Sequence, residues 1–247
     1  MKKQKSLITT SWDDGNPLDT KLCSILKKYD IKGTIYIPIK NKEGKILNES
    51  EIRDISKDFE IGGHYTYDIT LTNINNEELY NQLDYSKKEL EQIVKKELKS
   101  FSYPNGQFND NVIKNLKQIG FKSGRTAELF RTDITDPFKF HTTIQATNRI
   151  FLSKVKQALN TNNNGLVRKL VLEKNFFKNW NVLAKKTFDY VIKNGGIWHL
   201  WGHSLEIDQN NDWDVLEDLL SYIEREGKKN NADFLTNNEV IKQYNSD

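Results

Sequence analysis

The sequence predicts an α/β protein built on a parallel sheet with helical crossovers. Two observations carry this: short β-prone runs alternate with helix-like stretches from end to end, and 247 residues match the roughly 250 that one (β/α) barrel needs. No repeat, low-complexity tract or linker interrupts the alternation, so one domain spanning 1–247 is expected.

The elements follow in order. Residues 6–12 form a first strand, and 18–29 a helix in which Leu22, Cys23, Ile25 and Leu26 share a face. Residues 33–39 (GTIYIPI) are β-branched and aromatic, as strands prefer. Asn48 and Ser50 offer caps for a short helix through Ser56, and 59–63 is a strand ending in two glycines. A long amphipathic helix is expected over 76–99, with Leu79, Leu83, Ser86, Leu90, Ile93 and Leu98 near one face. Residues 101–103 form a strand stopped by Pro104-Asn105-Gly106. Asn109 caps a helix that Gly120 ends, and 121–126 is the next strand. The stretch 127–145 reads as irregular, 160–164 as a loop, and 166–172 and 180–193 as helices. A strand over 197–202, a helix over 212–226, a strand over 232–235 and a helix from Asn237 capped by Thr236 complete the chain.

Charge excludes some classes. The 37 basic and 34 acidic residues leave a formal net charge of +3, too balanced to point to nucleic acid or a membrane surface. No window approaches the roughly 18 apolar residues of a membrane span. Lys2, Lys3 and Lys5 have no apolar stretch behind them, so a soluble, cytoplasmic protein is expected. The single cysteine, Cys23, rules out an internal disulfide and reads as a small core residue rather than a nucleophile.

Chemistry-bearing residues gather at the expected C-terminal ends of strands, the rim where catalytic groups of a barrel converge. Asp13-Asp14-Gly15 follows the first strand, His64 and Asp68 the third, and Tyr103 to Gly106 the fourth; Arg125 ends the next, and His203-Ser204 follows the Trp198 to Gly202 run. His64 and Asp68 are four apart, so one helical turn would put them on one side. With Asp14 they would make a facial set of three metal ligands with open positions for water and substrate. Asp13 would be free to take a proton, and His203, across the rim, to give one. Each piece also has a plain structural reading. Asp-Asp-Gly is a common turn, a His-x3-Asp pair often decorates a helix surface, and a single histidine is often structural.

These segments resemble the motifs of the polysaccharide deacetylase family (NodB-like, carbohydrate esterase family four). Ser11-Trp12-Asp13-Asp14-Gly15 resembles its first motif, Glu60 to Asp68 (EIGGHYTYD) its second, Phe101 to Gly106 (FSYPNG) its third, and Trp201-Gly202-His203-Ser204 its last. The resemblance runs in the family's order over about residues 6–244. It implies a distorted (β/α) barrel of about seven parallel strands and a divalent metal, zinc first, with cobalt, manganese, nickel or iron as alternatives. By the same resemblance Asp13 is the general base, Asp14 and His64 are ligands, His203 is the general acid, and the backbone at Asn105, after Tyr103, helps to hold an oxyanion. Three positions depart from the pattern. Asp68 stands where the family has a second ligand histidine, Ser102 where it has an arginine that orients the base, and Asn105 where it has a tyrosine. Arg125, ending the next strand, could reach Asp13 in place of the missing arginine; the alternative is that it pairs with a surface acid.

The resemblance implies removal of an N-acyl group, N-acetyl first, from an amino-sugar compound. The expected substrate is a sugar-containing small molecule or a lipid-linked intermediate of glycan synthesis. An amidohydrolase of a small cyclic amide or ureide, and a catalytically inactive glycan-binding barrel, stand as alternatives. Trp201 is a candidate for stacking on a sugar ring, while Trp198 reads as core. His199 reads as a core histidine with a hydrogen bond. The stretch 127–147 reads as a substrate loop in which His141 is a surface residue, with contact to the ligand as the alternative.

Overall fold

The computed structural model describes residues 5–39, 45–65, 70–147 and 179–245. In chain order the strands are β1 (Ser6–Trp12), β2 (Thr34–Ile37), β3 (Glu60–Gly63), β4 (Ser100–Ser102), β5 (Ser123–Arg125), β6 (Ile144–Gln145), β7 (Gly196–Gly202) and β8 (Asp233–Phe234). The helices are α1 (Asp19–Lys28), α2 (Glu49–Ile55), α3 (Asn76–Val94), α4 (Asp110–Ile119), α5 (Trp180–Asn194), α6 (Ser204–Gln209), α7 (Trp213–Lys229) and α8 (Asn237–Tyr244).

Strand β1 is the hub. One edge pairs with β7 along its whole length, from Ser6↔Gly196 to Trp12↔Gly202. The other edge is shared: Leu7 and Ile8 pair with β8, and Ser11 and Trp12 with β2. The sheet runs β5-β4-β3-β2-β1-β7-β6, with every pair parallel. Residues near Phe140 carry it from β5 towards β7. Phe140 N–H donates to Gly124 O and Thr126 N–H to Phe140 O, each at 2.9 Å; three residues on, Thr143 N–H donates to His199 O at 2.9 Å. The curled sheet with its outer helices is the distorted (β/α) barrel that the sequence predicts.

Packing explains the helices. Helix α1 buries Leu22, Cys23, Ile25 and Leu26, and α7 buries Leu216, Leu219, Leu220 and Ile223, each an apolar stripe turned to the sheet. Asn48 and Thr236 form the capping boxes of α2 and α8. Helix α3 stops at Val94, five residues short of the expectation. Lys95 takes a left-handed φ of 56°, and Leu98 N–H turns back to Glu91 Oε1 at 2.8 Å, which lets Leu98 drop into the core. Its buried face therefore runs through Lys87 and Val94 rather than Ser86 and Ile93. Helix α6 and strand β6 fall in stretches where no element was expected. The loop and helix predicted over 160–164 and 166–172 lie outside the described residues.

The N-terminal end of the barrel is closed by a hydrogen-bond network around Glu60. Its carboxylate accepts from Thr34 Oγ1 (2.8 Å), from Ser100 Oγ and from the Asn238 N–H (2.9 Å) in the first turn of α8. Asn237 adds bonds with Thr9 Oγ1 (2.8 Å) and Tyr36 Oη (2.9 Å). The carboxylate thus meets the positive end of α8 and fastens that helix to the sheet. No helix among the described residues is long and apolar enough to cross a membrane.

Candidate active site

The site starts where β1 runs out. Asp13 N–H donates to Gly202 O at 3.0 Å, extending the β1–β7 pairing by one step and holding the Asp13 side chain inward at 4% exposure. Asp14 and Gly15 then take left-handed φ values of 78° and 58°. Gly15 has no alternative, because a Cβ there would lie 2.8 Å from Ile37 Cγ2. Asp14 is among the few non-glycine types that tolerate this conformation. The sharp turn aims two adjacent carboxylates differently, one buried and one 31% exposed.

Arg125 reaches Asp13 from β5. Its fully buried guanidinium donates through Nη2 to Asp13 Oδ2 and, at 2.6 Å, to Ser102 Oγ. Ser102 Oγ lies 3.4 Å from the same carboxylate oxygen. The guanidinium is centred 4.7 Å from the Trp201 ring and 5.6 Å from Tyr36, so aromatic faces replace water around the cation. A small residue at 102 leaves the room this reach requires. Burial alone would push the Asp13 carboxyl up. The charges of Arg125, His64 and His203 and the Arg125 hydrogen bond outweigh it, so Asp13 sits below the usual carboxylate range. Its other oxygen, Oδ1, is buried with no hydrogen-bond partner among the described residues.

His64 follows β3 directly and is 3% exposed. Its Nδ1 lies 2.9 Å from Ser102 O, and a carbonyl only accepts, so Nδ1 carries the proton. In the neutral ring Nε2 is then a lone pair, and it faces Asp14 Oδ1 at 3.4 Å. Two acceptors in that position need a cation or a proton between them. A histidine whose far nitrogen is fixed by a backbone carbonyl is also the usual preparation of a metal ligand. The donors therefore fit a divalent cation held by Asp14 and His64. Asp68, expected as the third ligand, lies outside the described residues. Among the described residues no three histidine, cysteine or carboxylate side chains form a complete metal-binding group.

His203 follows β7. Its Nε2 is 3.7 Å from Asp14 Oδ2, and its Nδ1 is 3.4 Å from Glu206 Oε2 on the first turn of α6. Burial opposes its charging, but the nearby carboxylates of Glu206, Asp13 and Asp14 prevail and raise its pKa above the ordinary histidine value. Glu206 is the site residue that the sequence reading missed. The only signal for it was its i+3 spacing from His203, which counts only once a helix is known to begin at Ser204.

These groups line a cleft of about 460 Å³ together with Tyr103, Asn105, Trp201 and Leu205. The Tyr103 hydroxyl donates to Phe138 O at 3.0 Å, so this side chain braces the wall. Asn105 is exposed on the rim with φ 54°. A second hollow of about 430 Å³ shares Asn105, Gly106, Ala127 and Trp201 and continues to Phe108 and Glu128. Trp198 is wholly buried, as expected. His199 is a core histidine, bonded to Ser11 Oγ (2.8 Å) and His141 O (3.0 Å), and burial depresses its pKa to about 3. His141 corrects the sequence reading. It is 7% exposed, beside Thr126 Oγ1 (3.0 Å) and Glu128 Oε2 (3.1 Å), because residues 140–147 are part of the barrel wall and not a loop over it.

The sequence profile of the polysaccharide deacetylase family matches residues 1–124, half of the chain, ending one residue before Arg125. No curated protein sequence matches. Among solved structures, the chitin deacetylase from the fungal pathogen Colletotrichum lindemuthianum is similar at TM-score 0.59 and 15% identity, over 94% of this chain and 86% of that one. The Xyl-CE4 domain of a multidomain xylanase from the hindgut metagenome of Trinervitermes trinervoides gives 0.56 and 15%, over 98% and 92%. A CE4 family pseudoenzyme from Bacillus anthracis gives 0.51 and 16%, over 92% of this chain and 62% of that one; this chain thus spans less than two thirds of its length. At these identities the likeness concerns the fold. The profile match, with the first three motifs inside it and the shared fold beyond it, makes the chain a member of the polysaccharide deacetylase family.

Proposed function

We propose that this protein is a metal-dependent hydrolase that removes an N-acetyl group from an amino-sugar unit. The observation that carries the reading is the flanking of Asp14 by two prepared proton-transfer groups. Asp13 is ionised, with one oxygen clamped and one unbonded among the described residues; His203 is biased towards its charged form by Glu206 and Asp14. A divalent cation on Asp14 and His64, with Asp68 as the proposed third ligand, would polarise the acyl oxygen and acidify the attacking water. Zinc suits the imidazole, while a second carboxylate also suits harder ions such as manganese or cobalt.

The chain's own groups then do the following. Asp13 Oδ1 takes the proton from the water, while Arg125 and Ser102 hold Oδ2 and fix the direction of attack. The backbone at Asn105 donates to the developing oxyanion. His203 hands its proton to the departing nitrogen, and Glu206 steadies the ring from behind. Trp201 offers an apolar face to the sugar. Among the described residues no lysine lines the cleft, and its arginine is committed to Asp13. This lining favours an uncharged glycan over a pyrophosphate-linked donor.

The test is acetate release from N-acetylated hexosamine oligomers by protein supplied with zinc, cobalt or manganese. Asp13→Asn is expected to retain the metal and lose about 10²–10⁴-fold in kcat. His64→Ala is expected to lose both metal and turnover. Absence of metal uptake and of turnover with every ion would overturn the reading in favour of a glycan-binding barrel.

A further inference from the structure

The catalytic cleft opens into a neighbour that the mechanism does not use. The hollow of about 430 Å³ shares Asn105, Gly106, Ala127 and Trp201 with the cleft and goes on to Phe108 and Glu128. At this border the turn after β4 and the segment after β5 meet through two small residues: a Cβ on Gly106 would lie 2.8 Å from Ala127 Cβ. Among the described residues Glu128 is the one charged residue on the hollow's wall. It is held from several directions. Its N–H donates to Thr126 Oγ1 at 3.3 Å, and its carbonyl accepts from the Thr142 N–H and hydroxyl, each at 2.9 Å. Its Oε2 lies 3.1 Å from His141 Nδ1 and its Oε1 3.4 Å from Arg131 Nη1. Neither neighbour cancels its charge. Burial lowers the His141 pKa and keeps that ring neutral, and Arg131 already grips both oxygens of Asp133, at 2.9 and 3.0 Å. One negative charge is therefore left over on a carboxylate that is fixed in place and 25% exposed.

We propose that this hollow is a subsite for the sugar unit next to the one being deacetylated, and that Glu128 selects that neighbour in its free-amine form. A sugar hydroxyl or an acetamido N–H donates once to a carboxylate. A primary amine donates two or three times and, once protonated, makes the bond charge-assisted. Phe108, stacked on Tyr103 with ring centres 4.8 Å apart, and Trp201 supply apolar walls for the sugar ring. A side chain braced before the ligand arrives loses little freedom on binding it, so Glu128 can discriminate despite its partial exposure. The consequence concerns order. The product of one turnover is the preferred neighbour for the next, so acetyl groups leave adjacent units in sequence rather than at random along a chain.

The inference rests on the deacetylase reading, and one set of substrates separates the two claims. Acetate release by the zinc-supplied protein is measured on three hexosamine dimers: one N-acetylated on both units, and two N-acetylated on one unit only, the first or the second. One of the singly acetylated dimers is expected to show a kcat/KM about 10-fold above that of the doubly acetylated dimer, chiefly through KM. Glu128→Gln, which keeps the shape and removes the charge, should erase that preference and affect the doubly acetylated dimer much less. Raising the salt from about 50 to about 500 mM should shrink the preference of the wild type, which tests the charge without any substitution if Glu128→Gln does not fold. Turnover that ignores the neighbour's amine, a preference that survives in Glu128→Gln, or one indifferent to salt would overturn the subsite and leave the deacetylase reading intact. A metal-loaded wild type that releases acetate from none of the dimers would remove the deacetylase reading. Calorimetry with the fully deacetylated dimer then decides the subsite by itself: binding lost in Glu128→Gln upholds it, and binding that is absent, or equal in both proteins, overturns it.

Discussion

The two ends of the barrel handle buried carboxylates in opposite ways. At the N-terminal end Glu60 is surrounded by donors: two hydroxyls and a helix N–H converge on it, and the donors are themselves tied to Asn237, Thr9 and Tyr36. At the C-terminal rim one Asp13 oxygen and both Asp19 oxygens have no hydrogen bond among the described residues, and Asp14 occupies a left-handed backbone conformation that most residues avoid. Glu60 meets only neutral donors, and burial still holds its carboxyl above the ordinary value, whereas the Arg125 guanidinium holds Asp13 below it. The contrast separates a structural acid from a working one more cleanly than burial does, since Asp13, Asp19 and Glu60 are all taken out of water.

The largest effect that would break this comparison is at Arg125. Arg125→Ala leaves Asp13 as an uncompensated buried charge and is expected to cost about 3–5 kcal/mol in urea unfolding, together with most of the activity. A variant of wild-type stability would mean that the pair is solvated and that the rim is not as dry as it looks. Next comes Glu60→Ala, which orphans two hydroxyls and an N–H and is expected to cost about 1–3 kcal/mol while kcat per folded molecule stays unchanged. Loss of kcat with no loss of stability would reverse the roles assigned to the two ends.

A third effect is a pH dependence. The Asp19 carboxyl ionises near its ordinary value of 3.8 in the unfolded chain and at about 8 in the folded one. Between those values the folded state holds the extra proton, so this group's contribution is full below pH 3.8, declines as pH rises and is gone above about 8. Asp19→Asn has no such proton. In thermal melts of chelator-treated protein, its advantage over wild type should grow steadily from pH 5 to about pH 8 and level off by pH 9. A constant difference across that range would show that Asp19 is already ionised in the folded state.

Much of this site was legible in the sequence because its parts sit at strand ends with fixed neighbours. Asp13-Asp14-Gly15, His64 and His203 each follow a strand whose composition announces it, and of the two partners the sequence left open for Arg125 it lies against Asp13, beside the short Ser102. The failures share a physical cause, which is short elements that complete no period. Strand β6 has two residues and α6 has six, so neither alternation nor a 3.6-residue repeat can show, and Glu206 and the buried place of His141 went unseen with them. The overrun of α3 came from the opposite fault. The apolar repeat continues through Leu98, but that leucine is buried by the turn after the helix rather than by the helix itself.

The bond that holds the His64 ring governs how freely this rim can vary. The proton on His64 Nδ1 is fixed by the carbonyl of residue 102, not by its side chain. Every amino acid brings that carbonyl, so the orientation of the imidazole depends on the path of β4 and on no particular letter there. Position 102 can thus exchange a long cation for a hydroxyl, and pass the clamping of Asp13 to the neighbouring strand, without disturbing the ring it also steers.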